Sequence, residues 1–444
     1  MAETYSNLSA LFTDIADAIR EKTGDTETIP AAEFPSMIRE KFESSPPPPP
    51  LPYLTFRSPN SFTLKVNDAT KHWDGTLEYS TDASTWSTWD GTTTLSSATS
   101  DNKDILYLRG TGNTVITGNS SNYKWVLTGS DIKCIGNIEN LLDYATVETG
   151  NHPTMANNCY NSMFYDCTAL TKAPDLSATT LAGYCYYSMF DGCTNLTKAP
   201  SVLPAITLAE RCYEFMFGNC ASLTKTPALP ATTLADFCYY GMFNGCTSLT
   251  KVPALPATTL TDSCYNGMFL GCTSLTQAPA LPATTLNQHC YNSMFFGCTS
   301  LTQAPALPAT TLASSCYSRM FSGCTSLKLS STKTGEYTVA YRIPTTGNGS
   351  AAPIDVQDMF ISTGGTFTGA PRIGITYYLS TDNMIVRDTE VATLNGYVGS
   401  MIDDAIGEYA DTAEYIIPSS TQGSTKKFKI TVDDTGTISA VEVS

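Results

Sequence analysis

The sequence predicts a multidomain, β-rich chain with four parts: an N-terminal helical segment, a β-sandwich-like domain, a repeat solenoid, and a C-terminal short coiled coil plus β-hairpin. Three observations predict it. First, the phrase C-Y-x-x-M-F-x-G-C-T-S-L-T-x-A-P-A-L-P-A-T-T-L-x-x-x recurs seven times. Its opening cysteines are Cys159, Cys185, Cys212, Cys238, Cys264, Cys290 and Cys316, spaced 26 residues apart except for 27 between Cys185 and Cys212. A fixed period of that length marks a solenoid, whose units bury apolar surface only by stacking on their neighbours. Second, residues 53–131 alternate apolar and polar side chains between turn signals. Third, Pro46 to Pro50 and Pro52 form a polyproline spacer between this region and the start of the chain. The expected boundaries are 1–45 (helical attachment or oligomerisation segment), 46–52 (linker), 53–131 (β-sandwich-like), 132–380 (solenoid with caps) and 381–444 (C-terminal oligomerisation region).

Residues 6–22 read as an amphipathic helix. Leu8, Leu11, Phe12, Ile15 and Ile19 share one face, Ser6 can cap the start, and Gly24 follows the end. A second short helix is expected over 31–42, disturbed by Pro35. The segment is too short for a core of its own, so the apolar face of the first helix is the expected attachment surface. In 53–131 the expected strands are 62–66, 105–108 and 123–127, with turns at Asp74-Gly75 and Asp90-Gly91. Trp73, Trp86, Trp89 and Trp125 all fall here. Core packing is their default role, and a sugar platform is the alternative.

Within a repeat, Cys264, Met268 and Cys272 lie at i, i+4 and i+8, the spacing of one face of a short helix ending at Gly271. Leu275 to Ala278 is then an extended run, Pro279 and Pro282 force turns, and Leu286 returns to the core. About nine apolar positions per unit face inward, each worth about 1.5–3 kcal/mol on burial before entropy is subtracted. Stacked strands advance about 4.8 Å per repeat, so the stack is expected to be about 30 Å long. Fourteen of the fifteen cysteines form seven C-x7-C pairs, with Cys134 outside them. The spacing fits neither zinc ligation nor, on a helix, a disulfide within a pair. The expected state is free thiols used as small buried hydrophobes, in two ladders.

After Cys324 the phrase degrades, and 331–354 is expected to form a hairpin or loop. Met359-Phe360 and Ala370-Pro371 then return without cysteines, as a terminal capping repeat. Val391, Leu394, Val398 and Met401, followed by Ala405, have the 3-4 spacing of a coiled-coil seam over 388–409. Phe428 to Val432, a turn at 433–436 and Ile438 to Val443 read as a hairpin. Together these predict a homo-oligomer, a trimer as in fibres.

The repeats M-F-x-G-C-T-S-L-T-x-A-P-A-L-P-A-T-T-L resemble the BspA-like leucine-rich repeats of bacterial surface proteins and phage proteins, over about residues 132–380. The region around Leu77-Glu78-Tyr79-Ser80-Thr81-Asp82 and Trp86 is similar to the small β-domain that precedes such repeats. The ends, L-S-A-L-F-T-D-I-A-D-A-I-R-E-K-T-G (8–24) and S-T-K-K-F-K-I-T-V-D-D-T-G-T-I-S-A (424–440), resemble bacteriophage structural proteins. The resemblance implies a non-enzymatic virion component, namely a tail fibre, head fibre, receptor-binding or capsid-decorating protein that displays its solenoid for adhesion to a host-surface glycan or protein. Its expected partners are other virion proteins and itself. A bacterial cell-surface adhesin is the alternative reading, and a glycan depolymerase is a third.

The chain holds 25 basic and 41 acidic residues, a net charge of −16, which argues against nucleic acid and anionic membranes as partners. No stretch approaches the ~20 apolar residues that span a bilayer. The opening Met1-Ala2-Glu3-Thr4-Tyr5-Ser6 has neither the basic flank nor the apolar core of a signal peptide. Synthesis in the host cytoplasm and display on the virion surface are therefore expected. No catalytic, cofactor-binding or metal-ligating motif is found. His72, His152 and His289 lie in different regions, and His289 is the one repeat histidine beside a repeat cysteine, Cys290. The candidate ligand surface is the row after Leu-Thr: Lys172, Lys198, Lys225, Lys251, Gln277 and Gln303. A solvated row that blunts the sheet is its alternative role. The pairs before each cysteine also vary: Gly183-Tyr184, Glu210-Arg211, Asp236-Phe237, Asp262-Ser263, Gln288-His289 and Ser314-Ser315.

Overall fold

The computed structural model describes residues 53–100, 103–343 and 355–386, and the backbone of four further strands at 2–3, 415–418, 427–432 and 438–443. The chain divides into two compact units, one of residues 50–397 and one combining 1–49 with 398–444. The described residues are β-rich, with several sheets and a single α-helix, Asn140–Glu148. None of their helices is long and apolar enough to cross a membrane. The expected helices over 6–22 and 31–42, the polyproline spacer and the 388–409 seam lie outside the described residues. The face Leu8, Leu11, Phe12, Ile15, Ile19 and the positions Val391, Leu394, Val398, Met401 lie outside them too.

Residues 53–135 form two mostly antiparallel sheets. The larger runs in the order Leu170–Lys172, Ile132–Ile135, Leu54–Ser58, Lys103–Thr111, Thr76–Ser80, Ser87–Thr88, with Ala98–Ser100 also on Lys103–Thr111. The smaller runs Leu95–Ser96, Thr63–Val66, Trp125–Thr128. Alternation sets the burial: Leu54, Phe56, Leu64, Val66, Leu106, Leu108 and Leu127 point into one core. Trp73, Trp89 and Trp125 are buried there, with ring centres 5.1 Å and 5.2 Å apart, while Trp86 is half-buried. The expected 123–127 strand starts later, at Trp125, because Ser121–Tyr123 is a short 3₁₀ turn capped by the Ser120 side chain. Ile132–Ile135 joins this sheet to the repeats. It pairs antiparallel with Leu54–Ser58 and parallel with Leu170–Lys172.

The C-Y-x-x-M-F-x-G-C segments are not helices. Each is a ribbon of overlapping turns with a left-handed residue at every fourth position: Ser263, Gly267 and Gly271 have φ of 52°, 61° and 72°. Alternate N–H groups close turns on the residue three back, as Met268 on Tyr265 (3.3 Å), Leu270 on Gly267 (3.0 Å) and Cys272 on Phe269 (3.1 Å). The N–H groups between them leave the repeat and donate to the next. Tyr265 donates to Cys290 (3.0 Å), Gly267 to Asn292 (2.8 Å), Phe269 to Met294 (2.9 Å) and Gly271 to Phe296 (2.7 Å). Every backbone donor from Tyr265 to Cys272 is thus bonded without a helix or a regular strand. The ribbon turns two residues inward and two outward. Cys264-Tyr265, Met268-Phe269 and Cys272 join the core; Asn266-Gly267 and Leu270-Gly271 face away.

Stacking repeats the inward set as columns. Tyr160 through Tyr317 and Phe164 through Phe321 form two runs of near-parallel rings, with centres 5.4–5.8 Å apart and interplanar angles of 2–10°. The spacing exceeds the ~4.8 Å of paired backbones, so the rings are offset, the arrangement aromatic quadrupoles favour. The extended run after each ribbon is a full strand at Leu170–Lys172, Gln303–Pro305 and Lys328–Ser330, while Lys198 and Gln277 form single bridges. A proline stands two residues after each Lys or Gln of the row, such as Pro253 and Pro279, and supplies no donor for a longer ladder.

Both ends of the stack are covered. At the start, Ile116 donates to the Cys159 carbonyl (2.9 Å) and Trp125 to Met163 (2.7 Å), supplying the donors a preceding repeat would supply. At the finish, the degenerate phrase at Met359-Phe360 docks as the expected further unit. Tyr317, Arg319, Phe321 and Gly323 donate to Asp355, Gln357, Met359 and Ile361 at 2.8–3.0 Å. Phe360 continues the ring column (6.1 Å, 8°) and then meets Tyr341, Phe367 and Tyr377 edge-on, which ends it. The hairpin reading of 331–354 is corrected. Tyr337–Arg342 pairs with Thr376–Ser380, on whose other side lies Lys328–Ser330, so the partner is distant in sequence.

In the other unit, Lys427–Val432 and Ile438–Val443 form the expected hairpin. Two strands the sequence did not disclose complete its sheet: Tyr415–Pro418 on one side, and Ala2–Glu3 on the other.

The turn ribbon makes a prediction opposite in sign to a helix. Gly271 has φ of 72°, and a Cβ there would meet nothing closer than 3.8 Å, so alanine strains only the backbone. Gly271→Ala is expected to destabilise by about 1 kcal/mol, whereas a helical glycine would gain about that much. Gly271→Asn, matching Asn219 in the same column at φ 55°, should be nearly neutral. Guanidinium unfolding of the three proteins measures both.

Candidate functional site

Two faces of the stack carry the residues in question. On the first, the Lys/Gln row is aligned: Lys172 bridges Lys198 and Gln277 bridges Gln303 in parallel register. Lys198, Lys251 and Gln277 are exposed; Lys172, Lys225 and Gln303 are half-buried. The threonines beside them add side-chain bonds between repeats, Thr197 Oγ1 to the Thr171 carbonyl (3.1 Å) and Thr302 Oγ1 to Thr276 (3.3 Å). The row is therefore a line along the stack.

The second face is the outward side of the turn ribbon, where sequence reasoning had singled out only the pairs before each cysteine. The residue before the first cysteine, the one two after that cysteine, and the one after that form three outward columns. Outside the second to fourth units they hold Asn, Ser or Gly, as in Ser263, Asn266 and Gly267, except at His289 and Arg319. The second to fourth units instead carry Tyr184, Tyr187, Arg211, Phe215, Phe237 and Tyr240. These side chains make one half-exposed cluster. Tyr184 lies 6.0 Å from Tyr187, Phe237 5.9 Å from Tyr240, and Phe215 meets Tyr240 edge-on at 5.2 Å. The Arg211 guanidinium joins the two halves, 3.9 Å over the Phe237 ring and 5.7 Å from Tyr184.

Four of the six occupy left-handed backbone positions: Tyr184, Arg211, Phe215 and Phe237, with φ of 52–58°. Bulky side chains there cost about 1–2 kcal/mol each, a cost that glycine avoids and asparagine reduces. Outside this cluster, the bulky residues at such ribbon positions are His289 and Arg319. Gly241 is required by the cluster as well as by its φ of 58°, since a Cβ there would stand 2.3 Å from the Phe215 ring. The sequence signal that could have located the site was a bulky residue in a column otherwise reserved for Gly, Ser or Asn.

A concave depression of about 500 Å³ opens beside the cluster, lined by Asn119, Ser121, Asn158, Asn161, Ser162, Tyr184, Tyr187 and Arg211. Its far wall, Asn119 and Ser121, belongs to the segment that covers the start of the stack. Asn158, Asn161 and Ser162 are chained by hydrogen bonds, Asn161 Nδ2 to Asn158 Oδ1 (3.1 Å) and Ser162 Oγ to Asn161 Oδ1 (2.8 Å). Arg211 Nη1 donates to Glu214 Oε2 at 2.8 Å, and Glu210 lies 3.5 Å from Nε. Burial raises the Glu214 carboxyl against the pull of Arg211. The cation is thus matched by carboxylates, and the depression presents rings, amides and hydroxyls.

The cysteines belong to the core. All fifteen are buried free thiols. Those of the second ladder donate Sγ–H to the phenylalanine carbonyl of the preceding repeat at 3.0–3.2 Å, as Cys272 to Phe243. Burial pushes Cys185, Cys264, Cys298 and Cys316 up to about 12, so the thiolate a nucleophile requires is disfavoured. The histidines do not converge. His72 pairs with Asp68 (2.9 Å), and His152 Nδ1 lies 2.8 Å from the fully buried Glu139, which also accepts from Ser177 (3.0 Å). Among the described residues, no group of three or more His, Cys, Asp or Glu could hold a metal ion.

Compared with protein-family models, curated proteins and solved structures, the chain has no match.

The thiols set an alkaline limit. The folded state keeps protons to about pH 12 that the unfolded chain releases from 9.0, so stability is fully present below 9.0 and falls as pH rises from there. The buried tyrosines act in the same direction. The guanidinium midpoint is expected to be flat from about pH 6 to about pH 8 and to drop by about pH 10.5. A thiol reagent at neutral pH should react with the unfolded chain and leave the folded chain untouched.

Proposed function

We propose that the protein is a non-enzymatic bacteriophage virion component, a fibre, receptor-binding or capsid-decorating protein that presents a BspA-like leucine-rich-repeat solenoid to a host surface. One observation carries the reading. The inward columns Cys, Tyr, Met, Phe and Cys repeat without change in all seven units, while the ribbon positions between them vary. A scaffold held constant beneath a varied exterior is what display requires and what a single reaction centre does not. The resemblance of 8–24 and 424–440 to phage structural proteins adds the particle. The pairing of Ala2–Glu3 with Ile438–Val443 places the two ends of the chain in one unit, which fits a common mounting element. In this reading the partners are other virion proteins, further copies of the chain as a trimer, and a host glycan or protein; no cofactor is involved.

The bacterial surface adhesin shares the repeats and differs in location. Mass spectrometry of purified particles is expected to find this chain in fixed ratio to the major capsid protein; recovery only from the cell envelope would favour the adhesin. A depolymerase would need two carboxylates ~5–9.5 Å apart across a sugar. Release of reducing ends from host capsule or wall polysaccharide would support that activity, and none is expected. Light scattering should give a multiple of the 47.7 kDa chain mass, reduced when residues 388–444 are removed. If the Lys row contributes to adhesion, charge reversal at Lys172, Lys198, Lys225 and Lys251 will weaken host binding; unchanged binding assigns the row to solvation.

A further inference from the structure

We propose that the depression beside Tyr184, Tyr187 and Arg211 is a binding site for an uncharged saccharide, one or two rings of which lie against the half-exposed tyrosines. The inference deepens the display reading and rests on it for its biological setting, naming the face that binds and the ligand class.

Three independent features meet there. The first is placement. Six bulky residues of the ribbon gather in three consecutive units, and three of them, Tyr184, Tyr187 and Arg211, line one cavity; elsewhere the same columns hold Ser, Asn or Gly, with less backbone strain, except at His289 and Arg319. Core packing does not account for them, because their rings are only half-buried and lie outside the Tyr and Phe columns. The fold needs left-handed backbone at these positions but not bulky side chains, and a strain retained without a packing role points to function. The second is size and shape. About 500 Å³, open to solvent and walled on one side by Asn119 and Ser121, falls within the range of small-ligand sites.

The third is chemistry. Flat ring faces accept the apolar C–H face of a pyranose, while the amides of Asn119 and Asn158 and the hydroxyls of Ser121, Tyr184 and Tyr187 can exchange hydrogen bonds with sugar hydroxyls. Arg211 is held by Glu214 and Glu210, so the site carries no surplus positive charge for a phosphate or a uronate. The protein's net charge of −16 turns away nucleic acid, the other ligand whose rings stack on tyrosine.

The test uses the full chain and saturation-transfer NMR with three probes, N-acetylchitotetraose, maltohexaose and a linear mannotetraose, at about 10 mM, above the millimolar Kd expected of a small site. Saturation transfer to at least one probe is expected. In the double variant Tyr184→Ser with Tyr187→Asn, transfer should fall about tenfold or more. The replacements are those carried by Ser263 and Asn266 in the same columns, so the guanidinium midpoint should hold or rise. Should the double variant fail to fold, Tyr187→Asn alone, at a position without positive φ, must show the loss. Equal transfer from the variant, or no transfer to any probe, overturns the assignment. The readout is independent of the particle: binding by a chain missing from virions sinks the display reading alone, and a virion protein silent to every probe sinks the site alone.

Discussion

The whole stack depends on one constraint, the backbone hydrogen bonding of the turn ribbon. Only alternate N–H groups can be satisfied inside a unit, through turns such as Met268 to Tyr265. The others point along the stack and need the carbonyls of the next unit. A solitary repeat would leave a row of donors and a row of acceptors unpaired, at a cost of about 1–3 kcal/mol for each group that is buried. Added to the apolar columns, this makes the repeats strongly interdependent and explains why both ends are closed by dedicated structure. Ile116 and Trp125 supply donors at one end, and Asp355 to Ile361 supply acceptors at the other.

The same constraint explains what the sequence disclosed and what it hid. The period, the terminal unit at Met359-Phe360, the buried thiols and the strands Thr63–Val66, Lys103–Thr111 and Trp125–Thr128 were legible, because each rests on local alternation or on strict repetition. The helix reading of Cys264, Met268 and Cys272 failed because a ribbon of four-residue turns places the same i, i+4, i+8 residues inward as a helix does. The discriminating signal lay in the outward residues. Gly, Ser, Asn or Asp at nearly every fourth position, such as Ser263, Gly267 and Gly271, is the pattern of left-handed backbone and a poor one for a helix. The partner of Tyr337–Arg342 was hidden for a different reason. It pairs with Thr376–Ser380, and pairing across such a gap leaves no local trace in a strand's own residues.

Cysteine is the residue a physical account must single out, since alanine or valine would fill similar volume. In the second ladder its weak donor finds a carbonyl already engaged by a turn N–H. Phe243, for example, accepts from both the Cys246 amide and the Cys272 thiol. The thiol thus adds a bond between neighbouring units at a point where the backbone has no further donor. Its burial keeps it protonated, so it serves packing and cohesion and not chemistry.

The division between constant interior and varied exterior decides how the exterior should be read. At a column where every residue is tolerated equally, variation carries no information. The columns before and after the cysteines are different, because their left-handed backbone taxes every bulky side chain. Single bulky residues also occur in these columns, at His289 and Arg319, so bulk alone is not the signal; Tyr184, Arg211, Phe215 and Phe237 differ in standing in adjacent units and in mutual reach, with Gly241 making room for the Phe215 ring and with Tyr184 and Arg211 lining one depression. The Lys row fails this test of placement: its residues are aligned, yet nothing in their backbone opposes lysine. Legibility was therefore reversed on the two faces. The row that stood out in the sequence is the one whose positions demand least, while the cluster, flagged there only through the variable pairs holding Tyr184, Arg211 and Phe237, has four side chains retained against strain.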